Sequence, residues 1–507
     1  MDSSPSRIAE TGADLEGALR VGRNFSFRLA SQVISALINV AGMVLLANAL
    51  APGGYGEYAF YYALIPLIGS ASDLGVGIII TREIARHRAS GPRGFGDALM
   101  IKGAASALIL LVTLAIAWSA LDPTRAALVS LVTAAALIDP NQDPSIWVLR
   151  AHERQHVEAM LLVLSQGVWL GALGVGVLLH APLPWLLGAA ALGYGVRLAA
   201  GAAIALRKLY RPRFEPDGAR FRRLLAQGLP FGTAMFGVVL YGRVGLLTLR
   251  GLATPQDVAY FNVAYLLSQP LGFISSALSL AAFPVLARAG GEPLRRSVRR
   301  TLKAQTLLAL PMTVGLGLLA EPIISLLFHH RGFQPAGLGL RMMSLGLPVI
   351  FLNLSARYVL AALDRQRHYL RAIAAGLGVN LILCAALVPS HGFLGACAAY
   401  LGAETTIAFM CQRALSPWVR LRELASDATK PLLAALGMGV LLLAFRGANV
   451  VVAAIAGGVT YGALLLLLRA FSEDERRLLR RLAVSFGLSG STSLGVGAAG
   501  EERRAAL

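Results

Sequence analysis

The feature that most constrains this chain is a near-unbroken succession of apolar runs, each long enough to cross a bilayer. From NFSFRLASQVISALINVAGMVLLANAL at residue 24 to VVVAAIAGGVTYGALLLLL at residue 450, segments of about 20 residues follow one another with short polar joints. A helix needs about 20 apolar residues to span ~30 Å of hydrocarbon. The chain is 56% hydrophobic and 14% charged, where soluble domains run near a quarter charged. A water-soluble fold of 507 residues has no interior large enough to hide these runs. The pattern predicts an all-α polytopic membrane protein.

Candidate spans fall at about 25–50, 56–80, 97–119, 126–149, 158–180, 184–206, 228–250, 258–286, 304–328, 337–362, 370–388, 393–412, 429–446 and 449–469, about fourteen transmembrane helices. The joints support this count. Alternate joints carry the basic clusters REIARHR, RKLYRPR, RRSVRR, DRQRHYLR and RRLLRR. The intervening ones (APGG, LDPTR, HAPLP, GLATPQD, HHRGFQPA, PSHG and RGAN) contain no Lys and at most one or two Arg. A miscounted helix would invert the pattern from that point on. The positive-inside rule therefore places both termini on the cytoplasmic side. The net charge of +19 has the same origin. No basic stretch is interleaved with aromatics as a nucleic-acid groove would be, so no nucleic-acid partner is expected.

Cys384, Cys397 and Cys411 sit in apolar runs without metal-ligand spacing and read as small packing residues. The polar segment MDSSPSRIAETGADLEGALRVGR has no apolar signal-peptide core, and the first span is expected to direct insertion.

Internal repeats divide the chain. NALAPGGYGEYAF (48–60) resembles GLATPQDVAYF (251–261), AHERQH (151–156) resembles ALDRQR (362–367), and LLGAA (186–190) resembles FLGAC (393–397). The matches are collinear, at offsets of about 200 to 211 residues. They predict two six-helix lobes, 25–206 and 228–412, joined by a basic linker, 207–227. A cytoplasmic segment, 1–24, precedes them; two extra helices, 429–469, and an amphipathic, Gly/Ser/Ala-rich tail, 470–507, follow. Because six is even, the lobes form a parallel pseudo-repeat about an axis along the membrane normal, a transporter arrangement suited to alternating access.

Enzyme signatures are missing. There is no phosphate-binding Gly-rich loop, no H-E-x-x-H and no nucleophile elbow, and no outer joint exceeds about eight residues. The expectation is a conduit with no catalytic residues, metal or cofactor.

Polar groups within the spans are costly and face a bundle interior or watery cavity. In the first half these are Arg28, Gln32, Asn39, Asp73 and Arg197; in the second, Tyr241, Arg243, Asn262, Tyr265, Gln269, Asn353, Arg357, Asn380 and Glu404. Arg28 and Arg357 lie close enough to a cytoplasmic end to snorkel. Asp73 has two readings, a structural pair with Arg28 or a place in a wet cavity. Arg243 lies about 7 residues, or ~10 Å, from the outer end of its span, where a cavity role is expected. Arg197 and Glu404 occupy equivalent repeat positions, either as an interlobe or coupling pair or as separate lobe-core sites. Asp139 and Asp143, in IDPNQDPS, mark a broken helix. Pro66, Pro140, Pro144, Pro230, Pro270, Pro284, Pro311 and Pro348 are candidate bends.

LASQVISALINVAGMVLLANALAPGGYGEYAFYYAL, then SDLGVGIIITREIARHR, together with PMTVGLGLLAEPIISLLFHHRGF and LAALDRQRHYLRAIAAGLGVNLILCAALVPSHGFLGACAAYLGAE, resemble oligosaccharide flippases of the polysaccharide-export type. These belong to the multidrug, oligosaccharidyl-lipid and polysaccharide export superfamily. The resemblance runs from about residue 22 to 470 and lies in pattern rather than in one invariant motif. It implies two lobes facing across a cation-lined cavity, and a partner glycan linked to undecaprenyl pyrophosphate, carried from the inner to the outer leaflet. It also implies a monomer among membrane lipids, working with a glycan polymerase or glycosyltransferases. On this resemblance Arg28 and Arg243 receive the pyrophosphate, Asp73 orients Arg28 or couples an ion, and Asn39, Asn262, Tyr265 and Gln269 line the sugar path. A lipid II flippase for peptidoglycan and a cation-coupled drug exporter are the neighbouring readings.

Overall fold

The computed structural model describes residues 30–471 apart from 142, 329–331, 446 and 448; Arg28 and most of the tail lie outside the described residues. Among the described residues there is no strand. The first half comprises α1 (Ala30–Ala49), α2 (Pro52–Ala71), α3 (Val76–Arg86), α4 (Gly91–Ala120), α5 (Pro123–Asn141), α6 (Asp143–Ala151), α7 (Gln155–Leu178) and α8 (Leu183–Lys208). The second comprises α9 (Gly218–Tyr241), α10 (Val244–Leu252), α11 (Pro255–Ser268), α12 (Leu271–Arg288), α13 (Gly291–Leu327), α14 (Ala336–Leu345), α15 (Leu347–Ala362) and α16 (Gln366–Leu415). Two more helices, α17 (Leu421–Ala444) and α18 (Val450–Leu467), follow.

Ten helical stretches are individually long and apolar enough to cross a membrane, and the bent pairs α2–α3 (53°) and α14–α15 (51°) make twelve. The 50 residues of α16 are twice what a bilayer needs, and the helix turns at Gly392, where φ is +52°. A side chain there would meet Asp257 Oδ1 at 2.4 Å, the atom that accepts a hydrogen bond from Phe393 N. Dividing α16 at Gly392 and joining α5 to α6 gives the fourteen segments read from hydropathy.

The repeat is visible in backbone detail. The acidic residue of each Ala-x-acid-Arg-Gln-x joint takes a left-handed conformation, Glu153 at φ +58° and Asp364 at +56°, and each following glutamine, Gln155 or Gln366, opens a helix. The Pro turns match too, since α2 and α11 both have Pro in their first turn. The second span of the first half is broken at α2/α3, and the second and fourth spans of the second half at α11/α12 and α14/α15. Prolines account for only part of this. Pro270 and Pro348 stand beside breaks, whereas Pro66, Pro140, Pro230, Pro284 and Pro311 lie inside helices.

The ends of the bundle differ, one carrying the basic joints and the other the neutral ones. At the neutral end the halves meet through the symmetry-related helices α2 and α11. Gly56 has no room for a side chain, because a Cβ would lie 1.8 Å from Pro255 O. Nearby, Asn262 Nδ2 donates to Tyr55 Oη at 2.8 Å, Asn48 Nδ2 donates to Leu327 O at 2.8 Å, and Arg250 pairs with Glu57 at 3.0 Å. At the basic end α9 lies against α3. Gly75, at φ +70°, packs on Gly228 and Gly232, while Arg220 bridges Asp97 at 2.6 Å and Glu83 at 2.9 Å.

The α17–α18 pair belongs to the second half. Arg295 and Arg299 of α13 pair with Glu423 and Asp427 of α17, both at 2.7 Å. Tyr461 Oη of α18 donates to Leu307 O at 2.7 Å.

Candidate functional site

The span expected at 228–250 is broken in mid-course. Gly242 and Arg243 separate α9 from α10, and Arg243 caps the N-terminus of α10. A helix start presents unpaired N–H groups and a positive dipole end, so the break gathers positive charge at this depth. Arg243 is half-buried. Its guanidinium makes no ion pair or side-chain hydrogen bond among the described residues. Its electrostatic neighbours are Tyr62 of the first half and Tyr265 of the second. A lone cation between two halves of a bundle needs water or an anion.

Beside it lies a cavity of about 180 Å³, whose lining includes Tyr241, Gly242, Tyr265, Gln269, Asn353, Arg357, Tyr400 and Glu404. Two helix breaks open onto it, Gly242 between α9 and α10 and Gln269 between α11 and α12, and α15 closes it with Ile350, Asn353 and Arg357. Glu404 is 6% exposed. It accepts hydrogen bonds from Tyr241 Oη at 2.9 Å and Asn353 Nδ2 at 2.7 Å, and no cation pairs with it among the described residues. Arg357 is exposed on the rim, over the ring of Tyr358 at 4.8 Å.

The first half holds its own charge cluster. Lys102 of α4 is 1% exposed and pairs with Asp143 at 3.1 Å and Asp73 at 3.5 Å. Asp73 stands in the Ser72–Gly75 joint between α2 and α3, and Asp143 lies in the first turn of α6. Arg197 pairs with Asp139 at 3.7 Å. Asp73, whose sequence readings were an Arg28 pair or a wet cavity, is therefore a ligand of Lys102. Its side chain is also 37% exposed.

The predicted residues thus divide. Tyr241, Tyr265, Gln269, Arg357 and Glu404 line one cavity, with Arg243 at its edge. Arg197 and Glu404 sit in separate halves and share no bond. Asn262 is engaged in the neutral-end seam with Tyr55, and Asn39 bonds Ser35 O one turn back on α1. Gln32, also on α1, and Asn39 are absent from that cavity's lining. Sequence reasoning missed Lys102, although a lone lysine in MIKGAASALILLV is itself a signal. It also missed the aromatic face of α2, where Tyr58 stacks on Tyr62 at 5.5 Å and Tyr62 lies 5.8 Å from Trp169.

Two similar helical halves, with Arg243 of the second beside Tyr62 of the first and an aromatic-lined cavity within the second half, make a polytopic bundle of the kind that transporters use. Residues 21–289, more than half of the chain, match the family described as Polysaccharide biosynthesis protein, and the chain belongs to that family. Residues 230–386 also match the MatE family. A relative from Rhizobium meliloti (strain 1021), named "Probable lipid II flippase MurJ", is 27% identical over 381 residues, covering 66% of each chain. Among solved structures, the fold resembles "Lipid II flippase MurJ, inward closed conformation" with a TM-score of 0.73 at 12% identity, covering 88% of this chain and 98% of that one. It also resembles an inward-facing multidrug resistance MATE family transporter of the MOP superfamily, with a TM-score of 0.64 at 15% identity, covering 78% and 98%. The chain is thus a multi-pass membrane protein of the Polysaccharide biosynthesis protein family, with the fold of these flippases and exporters.

Proposed function

We propose that this protein carries a polyprenyl-diphosphate-linked oligosaccharide from the inner to the outer leaflet of the bacterial cytoplasmic membrane, for polysaccharide export. The observation that carries the reading is the unpaired Arg243 between the halves. A diphosphate takes a guanidinium as its natural partner. Half-buried Tyr62 of α2 and Tyr265 of α11 offer rings to sugar faces, and the polyprenyl tail stays in lipid. On this reading 25–206 and 228–412 are the moving lobes, 207–227 is their linker, the basic end faces the cytoplasm and both termini lie there. The α17–α18 pair, bolted to α13, travels with the second lobe.

The buried carboxyl of Glu404, held by two neutral donors, is suited to take up a proton or cation during the cycle. Sequence similarity to the Rhizobium relative favours a second reading, in which the cargo is lipid II. Both cargoes present the same headgroup chemistry to Arg243 and differ in what is attached to it.

Depletion in cells complemented with wild type or Arg243→Ala tests the function. Lipid-linked glycan should accumulate on the cytoplasmic face with the variant and not with wild type. Normal outer-leaflet glycan after depletion, in a strain lacking other flippases, contradicts the reading. Accumulation of lipid II alone selects the second cargo.

A further inference from the structure

We propose that Arg250 is a second anion-binding residue of the translocation path, and that Glu57 occupies its guanidinium until the cargo's diphosphate displaces it. The inference rests on the function proposed above.

Arg250 follows Arg243 by seven residues on α10, two turns and about 10 Å further toward the neutral end on nearly the same helix face. Both arginines face α2. Arg243 has Tyr62 as a neighbour; Arg250 meets Glu57 at 3.0 Å and lies 5.6 Å from the centroid of the Phe60 ring. The higher-numbered arginine of α10 meets the lower-numbered residue of α2, so the two helices run in opposite directions and an anion moving from Arg243 toward the neutral end reaches Arg250 next.

The bonding of Arg250 is incomplete. Its Nη2 donates to Glu57, while its Nε–H is buried and finds no acceptor among the described residues. A buried guanidinium donor without a partner is costly, and a diphosphate offers more acceptor oxygens and more charge than one carboxylate. Glu57 is 29% exposed, so it can move into water once displaced.

Displacement has a mechanical consequence. Glu57 stands next to Gly56, whose backbone lies against Pro255. The Arg250–Glu57 pair joins the two halves at this seam, beside Tyr55–Asn262. Cargo taking Arg250 would remove one of the bonds holding the neutral end shut at the moment the headgroup needs to leave through it.

The account separates two variants that a simple latch would not. Glu57→Gln removes a competitor and should bind diphosphate more tightly, by several-fold. Arg250→Gln removes the site and should bind it about tenfold more weakly, with Arg250→Lys intermediate. The experiment measures undecaprenyl diphosphate binding to the full-length protein in nanodiscs, with undecaprenol as the uncharged control. Opposite shifts in the two variants support the proposal. Equal shifts, or none, overturn it while leaving a diphosphate preference in the wild type intact. Absence of that preference in the wild type overturns both this inference and the proposed function.

Discussion

Lys102 and Asp143 form a 3.1 Å ion pair inside the first half, with the lysine 1% exposed and a second carboxylate, Asp73, at 3.5 Å. The three residues come from different spans, and Asp73 sits where α2 gives way to α3. The cluster ties that break, and α6 through Asp143, to the continuous helix α4. Breaking such a pair leaves buried charge uncompensated and costs about 3 kcal/mol. Lys102→Ala should therefore lower the thermal unfolding temperature of the detergent-solubilised protein by several degrees. Adding Asp73→Asn and Asp143→Asn to Lys102→Met should recover most of that loss. Full loss persisting in the triple variant would show that packing, not charge, is what Lys102 supplies.

Glu404 presents the opposite case, a buried carboxyl with hydrogen-bond donors and no cation. Glu404→Ala strands Tyr241 Oη, while Asn353 Nδ2 keeps the Glu404 backbone carbonyl at 2.9 Å, and should cost about 2 kcal/mol. Glu404→Gln keeps an acceptor and should cost less. Thermal unfolding ranks the variants, and equal stability of Glu404→Ala and wild type would refute the assignment.

The neutral-end seam depends on Gly56. A Cβ 1.8 Å from Pro255 O can be relieved only by parting α2 from α11. Gly56→Ala should thus reduce cross-linking by a short bis-maleimide between Gly53→Cys and Gln256→Cys, positions in contact across the seam. The native cysteines are buried and stay silent. Undiminished cross-linking in Gly56→Ala would mean that the seam adapts without opening.

At the basic end, Asp217 caps α9 by accepting from Arg220 N at 3.0 Å and pairs with Arg93 at 3.0 Å. The backbone hydrogen bond from Arg220, helped by Arg93, holds its carboxyl below the ordinary value of 3.8. A depressed carboxylate stabilises the fold above its unfolded value and loses that contribution as pH falls through the folded one. The clasp should therefore be indifferent to pH between about 5 and 8 and weaken only in acid. Thermal unfolding of Asp217→Asn against wild type should show a gap that is constant across that window and closes below about pH 4. A gap that changes within the neutral range would contradict this.

Hydropathy and charge alternation made the number and order of spans legible, because lipid imposes length and apolarity on each segment independently of its neighbours. The repeats were legible for a related reason, since Glu153 and Asp364 must adopt the same left-handed turn and their flanking residues are correspondingly alike. Helix breaks were not. Gly75 and Gly242 interrupt spans without a proline beside them, while Pro66 and Pro230, on the same two spans, leave the helix around them unbroken. Whether a bend becomes a break depends on what packs against it, and that is tertiary information. The same holds for the charges. Asp73 and Lys102 lie 29 positions apart on different spans, and no local pattern records their meeting. Arg243 was singled out by its depth, yet only the fold shows that the described residues leave it without a counter-ion.

The central claim is that Arg243 handles the charged headgroup of a lipid-linked cargo. The most direct test reconstitutes the full-length protein in proteoliposomes containing an undecaprenyl-diphosphate-linked glycan and follows the glycan's arrival in the opposite leaflet with a membrane-impermeant lectin. Wild type should transfer it, Arg243→Ala should slow transfer at least tenfold, and Arg243→Lys should fall between. A variant lacking Arg243 that moves the glycan at the wild-type rate would contradict the account.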